Sequence, residues 1–185
     1  GNNFNDTLAT SNGATIEAGA SSGWHQLVRG EFLFDTSSIP DTDTIDSATF
    51  SIFGSSKTDQ LAQSVTMTTS NPGSNTAAAS ADYQAMTSAA RQSDGGITVT
   101  AWSNTAYNDF TLNATGLGNV SLTGVSKFGL RMSGDTDNTE PTFAASNKAD
   151  VTVIFADTAG TASDPKLVVV HSVAISDETP LMFDI

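Results

Sequence analysis

The chain contains no cysteine, which excludes disulfides, thiolate metal sites and a cysteine nucleophile. Basic residues are scarce. Seven Lys and Arg stand against 20 Asp and Glu, a formal charge of −13. Neutralising phosphates takes a cationic patch, so this balance excludes an electrostatic nucleic-acid binder and argues against docking on anionic lipid. No apolar run approaches the ~18 residues of a membrane span, so no membrane insertion is expected. Hydrophobic residues make up 38%, enough for one thin core, and 185 residues suit one domain better than two.

The polarity comes from hydroxyls. Thr (26) and Ser (23) together exceed a quarter of the chain, while charged residues are only 15%. A cysteine-free, Lys-poor chain rich in Thr, Ser and Asn suits an extracellular or virion surface. Tripeptides of the glycosylation-acceptor type occur at Asn5, Asn113 and Asn119, as chance allows in such a composition.

The hydrophobic period is mostly two. Ala48, Phe50 and Ile52 alternate with Thr49, Ser51 and Phe53; Ile97, Val99 and Ala101 with Thr98, Thr100 and Trp102; Phe128, Leu130 and Met132 with Lys127, Gly129 and Arg131. Each reads as a strand with one face in a core and one in water. Phe110 to Leu112, Gln26 to Phe34, Gln63 to Thr69, Val151 to Phe155 and Lys166 to Val173 are further strands. The four apolar residues Leu167 to Val170 in a row predict burial on both faces of the last one. Asn12-Gly13, Pro40-Asp41, Asn71-Pro72-Gly73, Asp94-Gly95-Gly96, Gly134-Asp135 and Asp164-Pro165 mark turns. One stretch departs from the pattern: Ser80 to Arg91 places Tyr83, Met86 and Ala90 at helical spacing after a Ser able to cap. The expected fold is all-β, an antiparallel jelly-roll-like β-sandwich of about eight strands with one short helix.

Residues 1–173 read as the single sandwich domain and 174–185 as a C-terminal tail. The tail ends in Leu181, Met182, Phe183 and Ile185. These four either pack back on their own domain or dock on a neighbouring protein subunit by strand addition, which would build a homo-oligomer or a larger assembly.

Two stretches resemble a known family. Glu31-Phe-Leu-Phe-Asp-Thr-Ser-Ser-Ile-Pro40 followed by Ile45-Asp-Ser-Ala-Thr-Phe-Ser-Ile-Phe53 resembles the "FDLSSIP…SATLRLY" stretch of the DNRLRE-type β-sandwich domains. Val151 to Phe155 with Ser163-Asp-Pro-Lys-Leu-Val-Val-Val170 is similar to their closing "PKLVVTY" strand, and Asp109 to Leu117 to their "FDVT.L" segment. The resemblance spans residues 4 to 172 in the same order. It implies a jelly-roll related to carbohydrate-binding modules, of the kind appended to secreted polysaccharide-acting enzymes, cell-surface proteins and phage structural proteins. The family's "E.GVTW" segment has no clear counterpart here, and no ligand residue carries over.

Nothing in the sequence selects a catalytic set. Gly19-Ala-Ser21-Ser-Gly23 matches a nucleophile elbow in letters only, because a helix should follow it and Trp24-His25-Gln26 reads as the start of a strand. The two histidines, His25 and His171, lack the paired spacing of a catalytic zinc site. Only four glutamates occur, at 17, 31, 140 and 178, and no two are singled out as the acid and base of a glycosidase. A structural calcium ion is the more credible cofactor. Asp41, Asp43 and Asp46 in one loop, and Asp135, Asp137 and Glu140 in another, cluster hard oxygens, although such residues also simply make turns.

For a binding surface the candidates are aromatic, because sugar rings stack on aromatic faces. Trp102 falls on the Thr98/Thr100 face and is expected to point to solvent, with Tyr107 nearby and Trp24 in a Gly/Ser loop. Lys127 and Arg131 share an outward face that suits acidic sugars. The sequence therefore points to a non-catalytic, extracellular or virion-surface module whose partner is a glycan. The alternative is a structural subunit of a phage particle or surface filament, with contacts through its tail.

Overall fold

A computed structural model describes residues 9–19, 23–86, 90–142, 144 and 146–174. Among the described residues nine strands are defined: β1 (Thr10–Ala18), β2 (Trp24–Asp35), β3 (Asp43–Asp59), β4 (Ser64–Thr69), β5 (Ile97–Thr98), β6 (Tyr107–Thr111), β7 (Val125–Met132), β8 (Lys148–Ile154) and β9 (Lys166–Val173). All their pairings are antiparallel. The chain is all-β, built as one curled sheet with the order β5-β4-β7-β2-β1-β8-β3-β6.

The pairing is nested. β4 pairs with β5, β3 with β6, β2 with β7 and β1 with β8, as in one long hairpin. The pairs β1–β2, β3–β8 and β4–β7 then roll that hairpin up. β9 stands off this path. It pairs with β3 from Ser51 to Asp43, just where β8 has left β3 at Gly54, so β8 and β9 lie end to end along one strand.

The curl comes from the two longest strands. β2 pairs with β1 as far as Arg29 and with β7 from Gly30 onward. At this fork a Cβ on Gly30 would lie 2.6 Å from the carbonyl oxygen of Gly13, so glycine is required for the two backbones to approach before they part. Asn12-Gly13 is therefore a bulge inside β1, where the register to β8 shifts, and not the turn its letters suggest.

The alternation predicted for β3, β4 and β7 places Ala48, Phe50, Ile52, Val65, Met67, Phe128, Leu130 and Met132 in the core. β1 and β8 add Ala14, Ile16, Ala149, Val151 and Val153. Phe50 is its aromatic centre, with ring centroids 5.2 Å from Phe32, 5.7 Å from Phe34 and 6.0 Å from Phe110. Tilted and edge-on pairs of this kind contribute about 0.5–1.5 kcal/mol beyond area burial.

Three further expectations are corrected. The stretch from Ile97 is a strand only to Thr98; the Trp102 N–H then donates to the carbonyls of Thr98 and Val99, a tight turn that rotates the indole inward. Trp102 is 2% exposed, against Gly54, where any Cβ would collide with the indole and with the Ser103 carbonyl. β9 is not buried on both faces: Leu167 and Val169 turn toward the core, while Val168 and Val170 are each 53% exposed. The helix expected from Ser80 is a single turn, α1 (Asp82–Ala85), with Ala81 at the cap position and no side-chain cap. Met86 ends it in extended backbone, and 87–89 lie outside the described residues. Two other short helices occur among the described residues, α2 (Ala114–Gly118), capped by the Asn113 side chain, and α3 (Ser133–Thr136). No helix among the described residues is long and apolar enough to cross a membrane.

Candidate functional site

A concavity follows β2. It is a groove of about 740 Å³, lined on one side by β2 from Gln26 to Phe34 and on the other by the loop Ser74–Ser80 with Asp82, Tyr83 and Met86. Phe155, Ala156, Asp157 and Pro165 close its far end. The volume falls within the range of small-molecule sites.

The pleat of β2 explains the lining. Phe32 turns into the core and stacks on Phe155 with ring centroids 5.3 Å apart, so an apolar floor reaches the groove where β1 and β2 separate. Arg29 and Glu31 project from the other face, where Glu31 lies across the ladder from Gly129 and Gly129 from Thr68. The loop after β4 crosses that face. Met86 sits over Gly129, where a Cβ would come within 2.9 Å of its sulfur.

A cluster of buried charge holds the loop down. Asp135, on α3, accepts from Nε and Nη2 of Arg29 and from Nε and Nη2 of Arg131, all at 2.8 Å. The remaining nitrogen of Arg29 donates to the Tyr83 carbonyl at 2.7 Å, and its guanidinium lies 4.0 Å from the centre of the Tyr83 ring. Arg131 reaches the Met86 carbonyl at 3.4 Å. Burial opposes ionisation of Asp135, but the two guanidiniums outweigh it and hold its carboxyl below the usual carboxylate value. Burial likewise works against the charge of Arg29, and Asp135 again prevails, raising its pKa. Burial raises the Tyr83 phenol. Nearby, Asp82 ties the loop to itself, accepting from the backbone N–H groups of Gly73 (3.0 Å) and Ala79 (2.7 Å).

Glu31 differs from these. It lines the groove and accepts a hydrogen bond from the Ser70 hydroxyl. Burial raises its pKa, and Asp82 adds to the effect against the opposing influence of Ser70 and Lys127. The site thus offers one half-buried carboxylate, aromatic surface and a rim of small polar side chains (Ser74, Asn75, Thr76 and Ser80).

Few of the residues singled out from sequence meet here. Trp102 offers no ring face to a ligand, because it is core. Arg131 is 4% exposed and bound to Asp135, so it does not present an outward cation. Tyr107 lies elsewhere: its hydroxyl donates to the carbonyls of Ala162 and Asp164, and Lys166 sits 3.9 Å over its ring. Trp24 is 38% exposed at the start of β2. Lys127 lines a separate shallow depression with Ser70, Asn71 and Asn119.

The acidic loops are also dispersed. Asp43 is bound to Nδ1 of His171 at 2.7 Å, Asp46 accepts from the Ser172 hydroxyl, and Asp41 is exposed on the turn before β3. In the second loop Asp135 is taken by arginines, Asp137 accepts from Arg91 at 2.7 Å, and Glu140 is exposed. Among the described residues no three such side chains converge as a metal site. Gly19 donates to the Gly23 carbonyl and β2 follows at once, so no helix stands behind the Gly-x-Ser-x-Gly stretch; 20–22 lie outside the described residues. Leu181, Met182, Phe183 and Ile185 lie outside them too.

What sequence reasoning missed is Arg29, Glu31 and Tyr83. No local spacing signals them, since the partners of Arg29 lie 54 and 106 residues away. The chain matches no protein-family model, no curated protein and no solved structure.

Proposed function

We propose that the chain is a non-catalytic β-sandwich module that binds a glycan in the groove along β2, displayed on an extracellular or virion surface. The observation that carries this reading is the groove itself, where exposed amide and hydroxyl side chains surround ring surface from the half-buried Phe155 and Tyr83. Sugars are recognised by this combination, with hydrogen bonds to hydroxyls and contact of their C–H faces with rings. The nested strand pairing supports a jelly-roll, the arrangement of two interlocked Greek keys found in lectin and capsid domains. The resemblance of Glu31–Pro40 and Ser163–Val170 to DNRLRE-type domains points the same way.

The test is retention of the whole chain on glycan arrays and affinity gels. Binding that falls at least about tenfold in Asn75→Ala and Tyr83→Ala, and is unaltered in Trp24→Ala, supports the groove. Asn75 is exposed, so its substitution leaves the fold intact. Retention by no glycan overturns the reading.

One observation favours the structural alternative. β9 is paired on only one side among the described residues, presents Val168, Val170 and Val173 to solvent, and leads directly into 174–185. Loss of self-assembly on deleting 175–185, together with no glycan binding, would favour a phage or filament subunit.

A further inference from the structure

We propose that the groove along β2 selects glycans carrying a free amine over those carrying carboxylate or sulfate groups, and that Glu31 is the residue that meets the ammonium. This rests on the glycan reading and names the ligand class.

The charge of the lining carries the argument. Its described residues include three carboxylates, Glu31, Asp82 and Asp157, and one guanidinium, Arg29. The guanidinium is fully committed. Two of its nitrogens are on Asp135 and the third is on the Tyr83 carbonyl. Three carboxylates still outnumber it, so an anionic sugar entering the groove would meet a net negative lining and find no guanidinium free to pair with it. The net charge of −13 adds to that repulsion at longer range.

The carboxylates are not equivalent. Asp82 is satisfied by two backbone N–H groups, and Asp157 sits exposed at the far end. Glu31 is half-buried at the centre, with a neutral hydroxyl, Ser70, as its hydrogen-bond donor. Asp82 repels its charge, and Lys127, on the neighbouring strand β7, partly offsets this. Burial without a paired cation is what keeps its pKa high. A ligand ammonium placed against Glu31 would gain a charge-assisted hydrogen bond and relieve both the burial and the Asp82 repulsion. A sugar hydroxyl would gain only the neutral bond.

The experiment compares three short oligosaccharides of similar length by calorimetry with the whole chain: N-acetylated glucosamine oligomers, the same oligomers deacetylated, and uronic-acid oligomers. The deacetylated form is expected to bind about tenfold tighter than the acetylated form, and the uronate not measurably. Glu31→Gln keeps the acceptor for Ser70 and removes the charge, so it should equalise the first two ligands while acetylated binding persists. Asp46→Asn, an equal loss of charge at an exposed site on β3, should leave the tenfold preference in place, which distinguishes Glu31 from general attraction of a cation to an acidic protein. A preference that survives Glu31→Gln, disappears equally in Asp46→Asn, or runs toward the uronate overturns the inference and leaves the glycan reading standing. Failure of all three to bind, together with no retention on any glycan, overturns both.

Discussion

On the outward face of β4, β7 and β2, Thr66 and Thr68 are fully buried and Arg131 is 4% exposed. On the outward face of β9, β3 and β6, Val168 and Val170 are half exposed and Asp109 and Thr111 are open to water. Both faces follow the same two-residue alternation. The first is crossed by the loop after β4; the second is met at one end by the Ala162–Asp164 segment, whose carbonyls accept from the Tyr107 hydroxyl, and stands open at Val168, Val170, Asp109 and Thr111. The comparison teaches that a period of two assigns a residue to one side of a strand but does not say what lies on that side. Where a loop covers the outward side, polar residues need partners and find them. Where none does, even valines remain at the surface.

The largest effect should come from the cluster that fastens the cover. Asp135→Ala leaves Arg29 and Arg131 buried without their counter-ion, and thermal unfolding should report a loss of about 3–5 kcal/mol. Asp109→Ala on the bare face should stay within about 0.5 kcal/mol. Equal effects would mean that the cover contributes nothing. Next, Gly129→Ala should lose about 1–3 kcal/mol, because the new Cβ meets Met86 and Thr68 on the covered side.

Acid should weaken the covered face only at low pH. The Asp135 carboxyl is held below its ordinary value of 3.8, so the stability it contributes is present above that pH and is lost as pH falls through its lower folded value. Glu31 has the opposite sign. Its folded pKa lies above the ordinary 4.5, so its favourable balance is present below that pH and is lost as pH rises through the folded value. Glu31→Gln should therefore unfold at a slightly higher temperature than the parent at pH 7, and the gap should close near pH 4. A parent more stable than this variant at pH 7 would contradict the environment assigned to Glu31. The smallest effect is reserved for Val168→Thr and Val170→Thr, which should change stability by less than about 0.5 kcal/mol in denaturant melts. A larger loss would show that something covers β9.

The candidate site was far less legible than the strands. β3, β4 and β7 could be read because each keeps its core residues two apart over one full crossing of the sheet. Trp102 was misplaced because the alternation runs on past Thr98, while a turn, which needs no special letters, takes over the backbone. The surroundings of Arg29 and Glu31 could not be read locally, since their partners Tyr83 and Ser70 are 54 and 39 residues away in sequence. The scarcity of arginine was a clue that only the structure completes. All three arginines of the chain bind Asp135 or Asp137, and two of those pairings span 46 and 106 residues. The acidic loop read as calcium ligands is, at those two positions, an arginine receptor.

The amino-acid sequence on its own determined that this is a β protein, where most of its strands run and, for β3, β4 and β7, which side enters the core. It did so because pleat and apolar alternation are local and share one period. Only the tertiary structure decided which outward side is roofed, which charges pair and where a groove opens. Those depend on segments far apart in the chain meeting across the rolled sheet, and no local period encodes such a meeting.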